Sequence, residues 1–109
     1  MSVTTRRNGD TAILEPNGRL AGGAVDEFRS KWTEAVGDAN VHMIVVNLGH
    51  VTMVDSTGIG TMIRCHSAIT RNGGRMKIVG ANPTVRQAFK ITRLDSVFEF
   101  HDTEQSALR

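Results

Sequence analysis

In the stretch Val51-Thr52-Met53-Val54-Asp55-Ser56-Thr57-Gly58-Ile59-Gly60-Thr61, a carboxylate and two hydroxyls interrupt an apolar run and stand where a helical pattern begins. Three kinds of chemistry use such groups. Ser, Thr and Asp are preferred helix caps, because their oxygens accept N–H groups that the first turn leaves unpaired, and a cap contributes ~1 kcal/mol without any further role. A serine at a strand-to-helix turn is also the position of a hydrolase nucleophile, but that elbow has the form G-x-S-x-G, which Val54-Asp55-Ser56-Thr57-Gly58 does not match. A helix amino terminus beside Gly58 and Gly60 can hold an anion against free N–H groups and the positive end of the helix dipole. Gly58-Ile59-Gly60-Thr61 lacks the lysine and the length of a phosphate-cradling P-loop.

The other reactive side chains add little. His66 falls on the apolar face of the helix that follows, and His42, His50 and His101 are isolated, without metal-ligand spacing. Cys65 is the single cysteine, so neither an internal disulfide nor a thiolate metal site is expected, and no cofactor is called for. The 13 basic and 11 acidic residues give a net charge of +2 and are scattered rather than gathered into a stripe, which argues against direct DNA binding. No apolar run approaches the ~20 residues that span a bilayer, and the first ten residues have no signal core. A cytoplasmic protein without membrane contact is expected, as a single domain over residues 1–109 with one hydrophobic core.

The elements that must position Ser56 can be read from periodicity. Val3-Thr4-Thr5-Arg6 and Thr11-Ala12-Ile13-Leu14-Glu15 flank Asn8-Gly9, a hairpin signal in which both turn residues take positive φ. Between Ala24 and Val36 the apolar residues Val25, Phe28, Trp32, Ala35 and Val36 recur at helical spacing, and Gly37 stops the helix. The run from Val41 to Leu48 is apolar and β-branched along most of its length, as a strand covered on both faces is, and belongs at the sheet's centre. The helix opened by the Asp55-Ser56 stretch carries Ile59, Met62, Ile63, His66, Ile69 and Thr70 on one side and ends at Asn72-Gly73-Gly74. A strand from Arg75 to Val79, a helix capped by Asn82-Pro83, a strand from Val97 to His101 and a short helix capped by Asp102 complete an order β-β-α-β-α-β-α-β-α. Strands joined through helices are parallel, so the fold class is α/β, a mixed, mostly parallel sheet with an initial antiparallel hairpin and about four helices.

These residues in this order carry a resemblance. Asp55-Ser56-Thr57-Gly58-Ile59-Gly60, then Asn72-Gly73-Gly74-Arg75 leading into Lys77-Ile78-Val79-Gly80, then Val85-Arg86-Gln87-Ala88-Phe89-Lys90-Ile91-Thr92 before Leu94-Asp95, resemble the STAS-domain family, specifically the bacterial anti-sigma factor antagonists. The resemblance implies that Ser56 is phosphorylated by a partner that is both anti-sigma factor and serine kinase, and that a phosphatase reverses the step. It implies a partner surface made of Asp55, Thr57, Gly58 and Ile59 together with Arg19, Leu20 and Ala21, on a monomer or weak homodimer. A scaffold subunit of a larger signalling assembly and a small ligand-binding domain are the other functions considered. The chain departs from the family pattern in two places: Gly18-Arg19-Leu20-Ala21 has no acidic residue where G-x-L-D is common, and Arg93 stands where glycine is usual, which predicts a strained or altered helix end.

Overall fold

The computed structural model describes residues 1–108. Strands β1 (Ser2–Asn8) and β2 (Thr11–Leu20) form the antiparallel hairpin, closing on the pair Asn8 and Thr11. Its turn is Gly9-Asp10, one residue later than expected, with positive φ at Gly9 alone (61°), the arrangement of a II′ turn with glycine first. A single 3-10 turn, Gly22–Ala24, leads into α1 (Val25–Val36), which buries Val25 and Phe28 and packs Trp32, Ala35 and Val36 against the same core.

Strand β3 (Met43–Asn47) lies between β2 and the later strand β5 (Arg75–Val79), parallel to both, and Ile44, Val45 and Val46 are inaccessible to solvent. That is the central position its composition indicated. After Leu48-Gly49 the chain forms a strand the periodicity did not separate, β4 (His50–Val54), parallel to the far end of β2. The ten residues of β2 thus serve two strands in succession: Thr11–Leu14 pair with β3 and Asn17–Leu20 with β4. A bulge between Gly18 and Arg19, where Gly18 has φ 111°, adjusts the register between the two. The expected order therefore gains one strand directly before the Ser56 helix.

Helix α2 (Ser56–Arg71) turns Gly58, Ile59, Thr61, Met62, Cys65 and Ile69 inward. Helix α3 (Pro83–Ile91) is capped by Asn82, whose Oδ1 accepts the Val85 N–H at 2.8 Å. It ends with Arg93 at φ 60° and the Leu94 N–H donating to Phe89 O at 2.8 Å, a left-handed helix end made with a side-chain-bearing residue. Strand β6 (Glu99–His101) is shorter than expected, and the cap of α4 (Glu104–Ala107) is Thr103 rather than Asp102. Thr103 has the extended backbone that a cap needs, and its Oγ1 accepts the Ser106 N–H at 3.1 Å.

Alternation along the strands divides the core. Ala12, Leu14, Ile44, Val46, Met76 and Ile78 pack with residues of α1, α2 and α3, among them Phe28, Met62, Ile69, Val85 and Phe89, while Ile13, Val45 and Val79 pack with Ala107. Each fully buried large side chain contributes roughly 1.5–3 kcal/mol, so the position of α2, on which Ser56 rides, is set by Ile59, Met62 and Ile69 rather than by its polar end.

Candidate functional site

Strands β2 and β4 finish side by side, with Leu20 opposite Val54. The next residue, Asp55, is extended (φ −103°, ψ −173°) and uses every polar group it has for the fold. Its N–H donates to Leu20 O at 3.4 Å and its carbonyl accepts the Ile59 N–H at 2.9 Å. One carboxylate oxygen accepts the Gly58 N–H at 2.9 Å and the other accepts the Gly22 N–H at 3.1 Å. A single side chain thereby closes the start of α2 and ties it to the turn after β2. The Gly58 N–H, and after it that of Gly22, holds the Asp55 carboxyl below the usual carboxylate range, against some desolvation. Gly22 supplies a left-handed φ of 53°, and Gly58 is required for a different reason: a Cβ there would lie 2.1 Å from the Leu20 carbonyl oxygen. The close approach that Gly58 permits is to the chain's own backbone, whereas Gly60 faces open space.

This arrangement settles who caps the helix. Asp55 is the cap and Ser56 is the first helical residue, so the capping reading does not apply to Ser56, which is exposed. Thr57 is exposed beside it, and its carbonyl accepts the buried Thr61 hydroxyl at 2.9 Å. From the other segment, Arg19 is exposed and its Nε donates to the Met53 sulfur at 3.3 Å, and Ala21 is half-buried at the cap position of the 3-10 turn. Leu20 is inaccessible, Gly58 is buried and Ile59 is only 6% exposed, so these three of the expected partner contacts lie under the surface and support it from within. Gly22 and Met53 were not singled out by sequence. The signal for Gly22 was the Gly22-Gly23 pair itself, a place where the chain must bend sharply.

Elsewhere several reactive side chains have structural partners. His66 packs edge-to-face on Phe98 with ring centroids 5.4 Å apart, and burial pushes the Cys65 thiol up to about 12, leaving it inert. His101, expected to be isolated, accepts or donates to Ser106 Oγ at 3.0 Å through Nδ1 and lies 2.7 Å from Glu99 through Nε2. Serine, histidine and glutamate are thus in contact, but with the serine on Nδ1 and the carboxylate on Nε2, the reverse of a hydrolase triad, and none of them lines the cavity between β1 and α1 or the groove between β4 and α3. Glu99 also bonds Arg75 at 2.7 Å, and the array fastens α4 to β6. Among the described residues no group of three or more His, Cys, Asp or Glu side chains could hold a metal ion, and no helix is long and apolar enough to cross a membrane.

Comparison with known proteins places this geometry among relatives. The family model for the STAS domain matches residues 2–107. The chain is 27% identical over 96 residues to an anti-sigma F factor antagonist of Paenibacillus polymyxa, covering 88% of this chain and 82% of the relative. In structure it is similar to the anti-sigma factor antagonist SpoIIAA in its unphosphorylated form (TM-score 0.84, 24% identity, 98% of this chain and 93% of that one). It is also similar to the Bacillus cell fate determinant SpoIIAA in its phosphorylated form (TM-score 0.76, 23% identity, 98% and 96%).

Proposed function

Because the chain belongs to the STAS-domain family, we propose that it is an anti-sigma factor antagonist, a regulatory binding protein rather than an enzyme, whose state is set by phosphorylation of Ser56. One observation carries the assignment: Asp55 takes over the capping duty and leaves the Ser56 hydroxyl exposed at the first position of α2. The partner is an anti-sigma factor that is also a serine kinase. It transfers the γ-phosphoryl group of ATP to Ser56 Oγ; the new O–P bond forms as the bond to ADP breaks, and the hydroxyl proton leaves to a base on the kinase. A phosphatase returns the serine by transferring the phosphoryl group to water. Both steps belong in the cytoplasm, where sigma factors act.

The sign of the switch follows from where the charge lands. Phosphate adds roughly −1.5 to −2 at a helix amino terminus, which tolerates an anion, so the fold survives. A partner packed on Asp55, Ser56, Thr57, Arg19 and Ala21 must bury that charge or set it against its own carboxylates. At 1.4 kcal/mol per decade, a penalty of ~3 kcal/mol weakens binding about a hundredfold. The unmodified form binds and the phosphorylated form releases. That an antagonist of the same fold is known in both forms supports this reading.

Incubation with the candidate kinase and ATP, followed by peptide fragmentation, should place the phosphate on Ser56; phosphate on Thr57 alone overturns the assignment. In titration calorimetry Ser56→Ala should bind the kinase as the natural chain does and Ser56→Asp more weakly. Equal affinity of the two folded variants removes the switch.

A further inference from the structure

Strand β1 is an edge of the sheet, paired with β2 alone, and six of its seven residues are exposed. The hairpin decides which of its backbone groups are free. Asn8 and Thr11 flank a two-residue loop and so form a hydrogen-bonded pair, and alternation along the ladder makes Arg6–Ile13, Thr4–Glu15 and Ser2–Asn17 hydrogen-bonded pairs as well. The N–H and C=O groups of Val3, Thr5 and Arg7 therefore point away from β2, toward the open edge.

Free charged side chains are the usual protection of such an edge. Here the two arginines of β1 are engaged within their own chain. Arg6 pairs with Glu104 at 2.5 Å and approaches Glu15 at 3.9 Å, and Arg7 pairs with Asp38 at 2.8 Å. Their charges are compensated, and they do not guard the strand against another copy carrying the same charges.

We infer that β1 pairs antiparallel with β1 of a second copy of this chain, about a two-fold axis at Thr5. Thr5 is the midpoint of Ser2–Asn8, and the outward-facing residues Val3, Thr5 and Arg7 are symmetric about it. With the axis there, Thr5 meets Thr5 and Val3 meets Arg7 in both directions, so every outward N–H and C=O on either strand finds a partner. The intervening pairs set Thr4 against Arg6. Moving the axis to Arg6 would set that arginine against itself and leave Val3 opposite Gly9 of the hairpin turn, so charge and the number of main-chain bonds favour the axis at Thr5. The side chains brought together are Val3, Thr4 and Thr5, β-branched residues suited to a strand, with Arg6 and Arg7 set against Thr4 and Val3 rather than against each other. One strand's worth of main-chain bonds must overcome the entropy of association, so the pairing is weak and depends on concentration.

Sedimentation equilibrium of the whole chain from micromolar to millimolar concentration tests this. The mass should rise from 11.9 kDa toward twice that value. Thr5→Pro removes an N–H that faces away from β2, a replacement that edge strands accept, so the variant should melt as the natural chain does yet hold the monomer mass throughout. Thr5→Cys gives an independent measurement: hydrogen-bonded pairs hold their Cα atoms ~5.5 Å apart, within disulfide range, so oxidation should yield a cross-linked dimer. The natural chain, whose Cys65 is inaccessible, should not cross-link. A monomer mass at every concentration, a dimer unaffected by a folded Thr5→Pro, or no cross-link from Thr5→Cys overturns the inference.

Discussion

Two polar clusters fasten two helices to the sheet, and they do it with different groups. At the start of α2 the Asp55 carboxylate is held by backbone N–H groups of Gly22 and Gly58. Around α4, Glu99 is held by Arg75, Lys77 and His101, while Glu104 is held by Arg6 and Asn47. The buried Lys77 also donates to Ala107 O at 2.7 Å. Backbone donors leave the neighbouring side chains uncommitted, so Ser56 and Thr57 stay available to a partner. Side-chain donors commit Glu99, His101, Glu104 and Ser106 to anchoring α4.

The α2 attachment is most vulnerable at Gly58. Gly58→Ala drives a Cβ into the Leu20 carbonyl, a backbone atom that cannot swing aside, and should cost roughly 3 kcal/mol or prevent folding, as read from urea denaturation. On the α4 side, Lys77→Met keeps the aliphatic stem but strands the Ala107 carbonyl, for a loss of about 1–3 kcal/mol in the same measurement. Asp55→Ala removes a cap and the tie to Gly22 and should lose about 1–2 kcal/mol. That loss should be nearly the same in low and high salt, because its partners are uncharged, whereas the effect of Glu99→Gln should shrink as salt screens the ion pairs.

Acid sharpens the contrast further. His101 first, then Arg75 and Lys77, hold the Glu99 carboxyl down to about 2 from an ordinary 4.5. A carboxyl depressed in the folded state contributes stability above its unfolded value and loses it as pH falls through the folded one, so the window here runs from about 4.5 to about 2. Since Glu99 is 41% exposed, the contribution is about 1 kcal/mol after solvent screening. The urea midpoint should fall over that window in the natural chain and fall less in Glu99→Gln. The smallest effect belongs to Ser56→Ala, which removes neither a cap nor a buried contact and should shift stability by less than ~0.5 kcal/mol. A loss near 1 kcal/mol would mean that the hydroxyl is committed to the fold after all.

Local pattern carried most of the architecture. The hairpin, α1, the central strand and the inward face of α2 were legible because each depends on residues a few positions apart. β4 was not, since β3 and β4 are separated only by Leu48-Gly49 and become distinct by pairing with successive halves of β2. The Arg93 anomaly was legible as a departure from glycine, and the structure gives it a positive φ. The role of Asp55 was only half visible: a capping residue could be named, but its bond to Gly22 joins segments 33 residues apart and leaves no trace in local spacing. Ile59 and Leu20 were placed in the partner surface by position in a motif, while burial depends on the whole packing and put them inside.

The Asp55 clasp also makes the site readable without a label. Amide protons in an exposed turn exchange freely with solvent, but the Gly22 N–H is bound to a carboxylate 3.1 Å away, so it should exchange far more slowly than its neighbours and give a resonance displaced by that charge. Gly58 supplies the matching signal from the helix side. The two glycine resonances form a gauge with one needle on each segment: a partner that only covers the surface should slow both, one that pries the segments apart should release Gly22 while sparing Gly58, and a phosphate on Ser56 should move both without any partner present.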